Sequence, residues 1–144
     1  MTSGRPVVGA VLRYAYLWSE ESTRGQEEGK DRPVVVLGVE LDESGEAEIL
    51  VVAVTHTPPG DAYAAVVFPD GEKRALGLDD GASWIVTSEA NVFSWPGPDI
   101  RPVPGRTPST VLYGRLSQRL LGQVARSWLA NRERQRAQRV ERTE

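Results

Sequence analysis

The sequence predicts a mainly β domain, a small barrel or sandwich of short strands ending in a long C-terminal helix. Two observations carry that expectation. Apolar runs of strand length alternate with turn clusters between residues 9 and 87, and after Ser117 the apolar residues switch to helical spacing. At 144 residues the chain fits a single domain, on a soft guide of about 150 residues per domain.

Residues 9–18 are rich in branched and aromatic side chains and read as a first strand. Residues 19–31 are polar and include Glu20, Glu21, Arg24, Glu27, Glu28 and Lys30. They read as a long loop of the kind that covers functional sites. Residues 33–39 are almost continuously apolar, as expected of a strand buried on both faces. The polar turn Asp42-Glu43-Ser44-Gly45-Glu46 leads into residues 47–54, the second arm of an antiparallel hairpin, which Pro58-Pro59-Gly60 stops. Further strands are expected at 63–68, 73–76 and 84–87. Residues 96–110 hold five prolines and two glycines, too many breakers for a regular element. That stretch is expected to wrap the barrel before a short apolar segment at 111–114. Ser117 is a good N-cap, and Leu120, Leu121, Val124, Trp128 and Leu129 then mark one apolar helix face. Past Ala130, arginines at 132, 134, 136, 139 and 142 dominate, and the helix is expected to project or fray there.

Composition narrows the function classes. No apolar run approaches the ~20 residues that span a bilayer, and residues 1–6 lack the apolar core of a secretion signal, so a cytoplasmic protein is expected. The chain has no cysteine and one histidine, which argues against a disulfide framework and against a zinc centre built from its own side chains. Its net charge of −3 conceals a split. Residues 1–100 carry 7 Lys/Arg against 17 Asp/Glu, whereas residues 101–144 carry 10 Arg against 3 Glu. Such asymmetry points to nucleic acid or an acidic partner, or simply to a solvated basic helix.

The order of motifs is more specific than any one of them. A strand beginning at Gly9 is followed by an acidic loop, then Arg32-Pro33 opening the run Val34-Val35-Val36-Leu37, then a strand ending in Val54-Thr55. Gly77-Leu78, Ser83-Trp84-Ile85-Val86 and Gly114-Arg115-Leu116 come after it. Over roughly residues 8–130 this pattern resembles the MazF/PemK family of toxins from bacterial toxin–antitoxin pairs. The resemblance implies an SH3-like (MazF/PemK-like) β-barrel over 8–116 and a C-terminal helix over 117–140 with an arginine-rich tail. It also implies a homodimer that cleaves single-stranded RNA, including mRNA, without a metal or other cofactor and is neutralised by a cognate antitoxin. The family's catalytic arginine and threonine correspond to Arg32 and Thr55, and Glu89 falls nearest the position where the family often carries glutamine.

The residue chemistry fits those roles. A guanidinium stays charged and grips two phosphate oxygens at once, which suits Arg32 to stabilising charge on a phosphoryl group. The Thr55 hydroxyl suits hydrogen bonding to the same phosphate. Strand alternation gives Thr57 the same side as Thr55 and turns His56 away, so Thr57 is the expected secondary contact. His56 stays a candidate because imidazole titrates near neutrality. Glu89 and Asn91, in a polar interval, are candidate RNA contacts, and Trp18 at the edge of the long loop is a candidate base-stacking platform. Each also has a plain structural reading: a solvated edge arginine, a threonine satisfying local backbone, an exposed loop carboxylate, a packed tryptophan. Two rival functions stay open. One is a catalytically inactive, toxin-like module that binds RNA or protein, and the other is an interaction domain unrelated to RNA.

Overall fold

The computed structural model describes residues 5–20, 29–134 and 138–141. Its elements in chain order are β1 (Ala10–Tyr16), β2 (Lys30–Leu41), β3 (Ala47–Thr55), a 3-10 turn (Ala62–Ala64), β4 (Ala65–Phe68), α1 (Asp70–Ala75), β5 (Ser83–Val86), β6 (Glu89–Trp95), β7 (Leu112–Arg115), α2 (Gln118–Glu133) and β8 (Gln138–Glu141). The fold is mainly β: a curled, largely antiparallel sheet with one long helix toward the C-terminus. Among the described residues no helix is long and apolar enough to cross a membrane.

β2 is central because it is apolar on both sides. Val34, Val35 and Val36 are all fully buried, and alternation sends them to different cores. Val35 joins Val11, Val52, Val54, Phe68 and Ile85 beneath α2, where Leu120, Val124 and Trp128 pack. Val34 and Val36 join Leu12, Tyr14, Tyr16, Ile49, Val51 and Phe93 on the other face. Burial of such side chains contributes about 1.5–3 kcal/mol each before chain entropy is counted.

Three connections set the geometry. The hairpin β2–β3 runs in the register Val34↔Ala53, Val35↔Val52 and Val36↔Val51. The other edge of β3 is shared, with residues 47–51 pairing β6 and residues 54–55 pairing β5. The proline-rich stretch forms no strand but straps the edge of β1: Ala15 N donates to Asp99 O (2.8 Å) and Arg101 N to Arg13 O (2.9 Å). Ser117 caps α2 as expected, its hydroxyl accepting from Leu120 N (3.2 Å). The Ser117 hydroxyl and N–H in turn donate to the Glu72 carboxylate of α1.

Several expectations are corrected. The strand expected at 73–76 is the end of α1, since Asp70 and Glu72 in its first turn and Lys73 and Arg74 in its last suit a helix dipole. β6 was hidden behind the polar residues that open it. Leu129 is exposed, and Asn131 takes its place on the buried face. Asn131 Nδ2 reaches Tyr63 O (2.9 Å) and Thr87 Oγ1 (3.1 Å). α2 ends at Glu133 rather than near 140, and residues 138–141 lie parallel to β6. Arg134 stands over the Tyr63 ring at 5.4 Å. Loop residues 21–28 and tail residues 135–137 and 142–144, including Arg136 and Arg142, lie outside the described residues.

Candidate functional site

The β2–β3 pairing closes at Val34↔Ala53, with Arg32 and Thr55 each two residues beyond it at the same end of the hairpin. Both line one cavity of about 510 Å³ at the strand ends. Arg13, Lys30 and Asp31 contribute to its β1–β2 wall, and His56, Lys73, Asp79 and Ser83 to the facing part of the lining. Four permanent cations meet two carboxylates there, a local surplus of positive charge in a chain of net charge −3.

Arg32 is half-buried, with its guanidinium 5.1 Å from the centroid of the Trp18 ring. Trp18 does not line the cavity; it backs the arginine that does. Its own position is fixed by its neighbours. Asn91 Oδ1 accepts from Leu17 N (2.9 Å) while Asn91 Nδ2 donates to Leu17 O (2.7 Å). Glu89 accepts from Ser19 N (2.8 Å), Ser19 Oγ (2.9 Å) and the Tyr16 hydroxyl (3.1 Å). Two residues apart on β6, Glu89 and Asn91 face the same way and grip the chain on both sides of Trp18. Burial, and then the charge of Glu89, push the Tyr16 hydroxyl far above its ordinary pKa, so it stays a donor.

Glu89 and Asn91 are therefore corrected. Neither lines the cleft, and Asn91 is 0% exposed with its amide engaged by backbone. Buried polar groups must be satisfied, and for Asn91 the two bonds to the Leu17 backbone meet that requirement.

The order of Thr57 and His56 is reversed as well. β3 ends at Thr55 and the chain bends at His56 and Thr57, so strand alternation lapses there. His56 lines the cavity and Thr57 does not. Thr57 acts through its backbone, donating to Thr55 Oγ1 (3.1 Å). That bond uses a lone pair of the threonine oxygen and leaves its hydrogen to donate elsewhere.

Lys73 holds the other wall and escaped the sequence reading. Its side chain is 2% exposed, and Nζ donates to Ser83 Oγ (2.8 Å), Gly81 O and Asp79 Oδ1 (3.4 Å). Three donors meet three acceptors, which is what a buried ammonium requires. The signal for α1 was present, with Pro69 before two first-turn acids. Nothing in the sequence marked its lysine as the inward-facing residue. Arg13 and Asp31 were missed too; Asp31 lies between Arg13 Nη2 (3.6 Å) and Arg101 Nε (3.5 Å).

No family model matches this chain, and no curated protein is detectably similar to it. Among the described residues no group of three or more His, Cys, Asp or Glu side chains is arranged to hold a metal ion. The cavity lining brings together cations, carboxylates, the hydroxyl-bearing Thr55, Ser83 and Tyr113, and one imidazole.

Proposed function

We propose that this chain is a toxin-type endoribonuclease that cleaves single-stranded RNA in the Arg32–Thr55 cleft. The observation that carries the reading is that these two side chains, far apart in sequence, line the same positively charged cavity. In this reaction the RNA 2′-oxygen bonds to the adjacent phosphorus and the P–O5′ bond breaks. A 2′,3′-cyclic phosphate and a 5′-hydroxyl result, the proton lost at the 2′-hydroxyl being balanced by one gained at the 5′-oxygen. Arg32 grips the phosphoryl oxygens as charge builds on them, and the Thr55 hydroxyl donates to the same group. The same reading includes an SH3-like, MazF/PemK-like barrel, a cytoplasmic homodimer, and an antitoxin whose acidic segment covers the cleft.

The test is purified protein incubated with single-stranded RNA in EDTA. Cleavage is expected, and Arg32→Ala is expected to slow it by roughly 10²–10³. Wild-type protein inert toward RNAs of widely varied sequence would overturn the reading.

A second reading, an RNA-binding module without catalysis, draws on one specific observation. Both ring nitrogens of His56 are already engaged, by Ala82 O and by Asp79, so the cleft's one imidazole has no nitrogen turned to a substrate. That reading is supported by RNA binding with no product.

A further inference from the structure

The neighbours of His56 define its protonation state. Nδ1 lies 2.8 Å from Ala82 O, and Nε2 lies 2.9 Å from Asp79 Oδ2. A carbonyl has no hydrogen to give, and neither does an ionised carboxylate, so each nitrogen must be the donor. A neutral imidazole has one N–H and cannot satisfy both; the imidazolium can. Ser83 Oγ, 3.1 Å from Nδ1, adapts to either state because its hydroxyl rotates. Among the described residues Lys73 also acts on the ring, opposing protonation from behind Ser83. The carbonyl of Ala82 and then the Asp79 carboxylate outweigh it and hold the His56 pKa above its ordinary value. For Asp79, partial burial works against ionisation, but the hydrogen bonds and charges of His56 and Lys73 win and hold its carboxyl below the ordinary range.

The loop is shaped around the ring. A Cβ on Gly81 would stand 3.0 Å from His56 Cε1, so the backbone at 81 passes close against the imidazole. The ring is nonetheless open to the cavity, its side chain 55% exposed beside an Asp79 that is 67% exposed.

We propose that His56 is a preformed imidazolium in the wall of the cleft, and that its proton sets the affinity of the cleft for RNA phosphates. The proposal rests on the RNA reading above and extends it to the control of binding. With the proton in place, His56 and Asp79 form a neutral pair and the cleft keeps its positive surplus. Without it, Asp79 keeps Lys73 as its one counter-charge in this cluster, and the cleft has one positive charge fewer to attract approaching phosphates. Binding of a phosphodiester chain and protonation of His56 therefore favour one another, and thermodynamic linkage makes the effect reciprocal.

The chain has a single histidine, so nitrogen NMR of the imidazole reports this site alone. The probe is a single-stranded oligodeoxynucleotide, which lacks the 2′-hydroxyl and stays uncleaved. Expected results are two protonated ring nitrogens at about pH 7, above the ordinary histidine midpoint, and a midpoint that rises when the probe is added. Probe binding should weaken about two- to fivefold between pH 6 and pH 8.5, and the salt slope should fall by about 0.7. His56→Gln should remove that pH dependence, while Asp79→Asn should lower the midpoint. A neutral imidazole at pH 7 overturns the proposal, as does an imidazolium whose midpoint ignores the probe. A probe that binds at neither pH overturns the RNA reading itself, whatever the NMR shows.

Discussion

On the β1–β2 wall of the cleft, Arg32 lies against the Trp18 ring, and the chain beside that ring is held by Asn91 and Glu89 from β6. On the 73–83 wall, an ammonium is sunk into the protein, and Ser83, Gly81, Asp79 and His56 are organised around it. The first wall backs a cavity-lining cation with an aromatic ring. The second uses up its deepest cation on internal acceptors and presents a titrating pair at the rim. The difference separates two settings of positive charge: Arg32 lies half-buried against an aromatic ring in the cavity lining, whereas Lys73 is sunk among the acceptors that shape a loop. A count of cations along the sequence cannot make that distinction. Partner geometry does.

The comparison breaks most readily at Lys73. Lys73→Met keeps much of the volume but strips the buried Ser83 Oγ of its ammonium donor and breaks the contacts to Gly81 O and Asp79; an orphaned buried group costs about 1–3 kcal/mol. Urea unfolding is expected to show a loss of about 3 kcal/mol, the largest of this series. A loss below about 0.5 kcal/mol, the range of ordinary surface substitutions, would mean that the second wall is not organised around the lysine.

Asn91→Leu tests the first wall. It leaves Leu17 N and O without their side-chain partner, and a loss of about 2 kcal/mol is expected by the same measurement. If the clamp orients Trp18 onto Arg32, this substitution also weakens RNA binding although Asn91 never touches the cleft. Glu89→Gln is gentler, removing the charge that strengthens three hydrogen bonds, and should cost about 1 kcal/mol.

The pH dependence of stability then sharpens the contrast. His56 has a raised pKa, so its contribution is complete below its ordinary 6.5 and disappears as pH climbs through the raised value. Asp79 has a lowered pKa, so its contribution is present above 3.8 and disappears as pH falls through the lowered value. Urea midpoints followed across pH should therefore decline on the alkaline side of 6.5 in the native chain, and less so in His56→Gln. Thr57→Ala should change stability by less than about 0.5 kcal/mol, because Thr57 serves Thr55 through its backbone N–H. A larger drop would assign its hydroxyl a role that its geometry does not give it.

Legibility in the sequence followed the same division. The runs 33–39 and 47–54 exposed the central hairpin because apolar periodicity is a local signal, and the Arg32–Thr55 neighbourhood followed from its two ends. The Ser117 cap and the Leu120, Val124 and Trp128 face announced α2 for the same reason. β6 was illegible because its opening Glu89 and Asn91 look like loop residues; they are polar in order to satisfy the segment 17–19, a contact that spans about half the chain. His56 was turned the wrong way because alternation was carried past the end of a strand. Lys73 was invisible, since charged residues are almost never fully buried without partners, and its partners lie in a loop whose path only the folded chain fixes.

β3 gives one side to β2 and divides the other between β6 at residues 47–51 and β5 at residues 54–55. Both supports of the hollow, the strand that steadies Trp18 and the strand that begins at Ser83, are thus measured off the same ruler. Sliding that ruler by a single notch would invert the facing of every side chain along it. The spacing between the two supports is accordingly an all-or-nothing property of the sheet, and gradual loosening is not an option open to it.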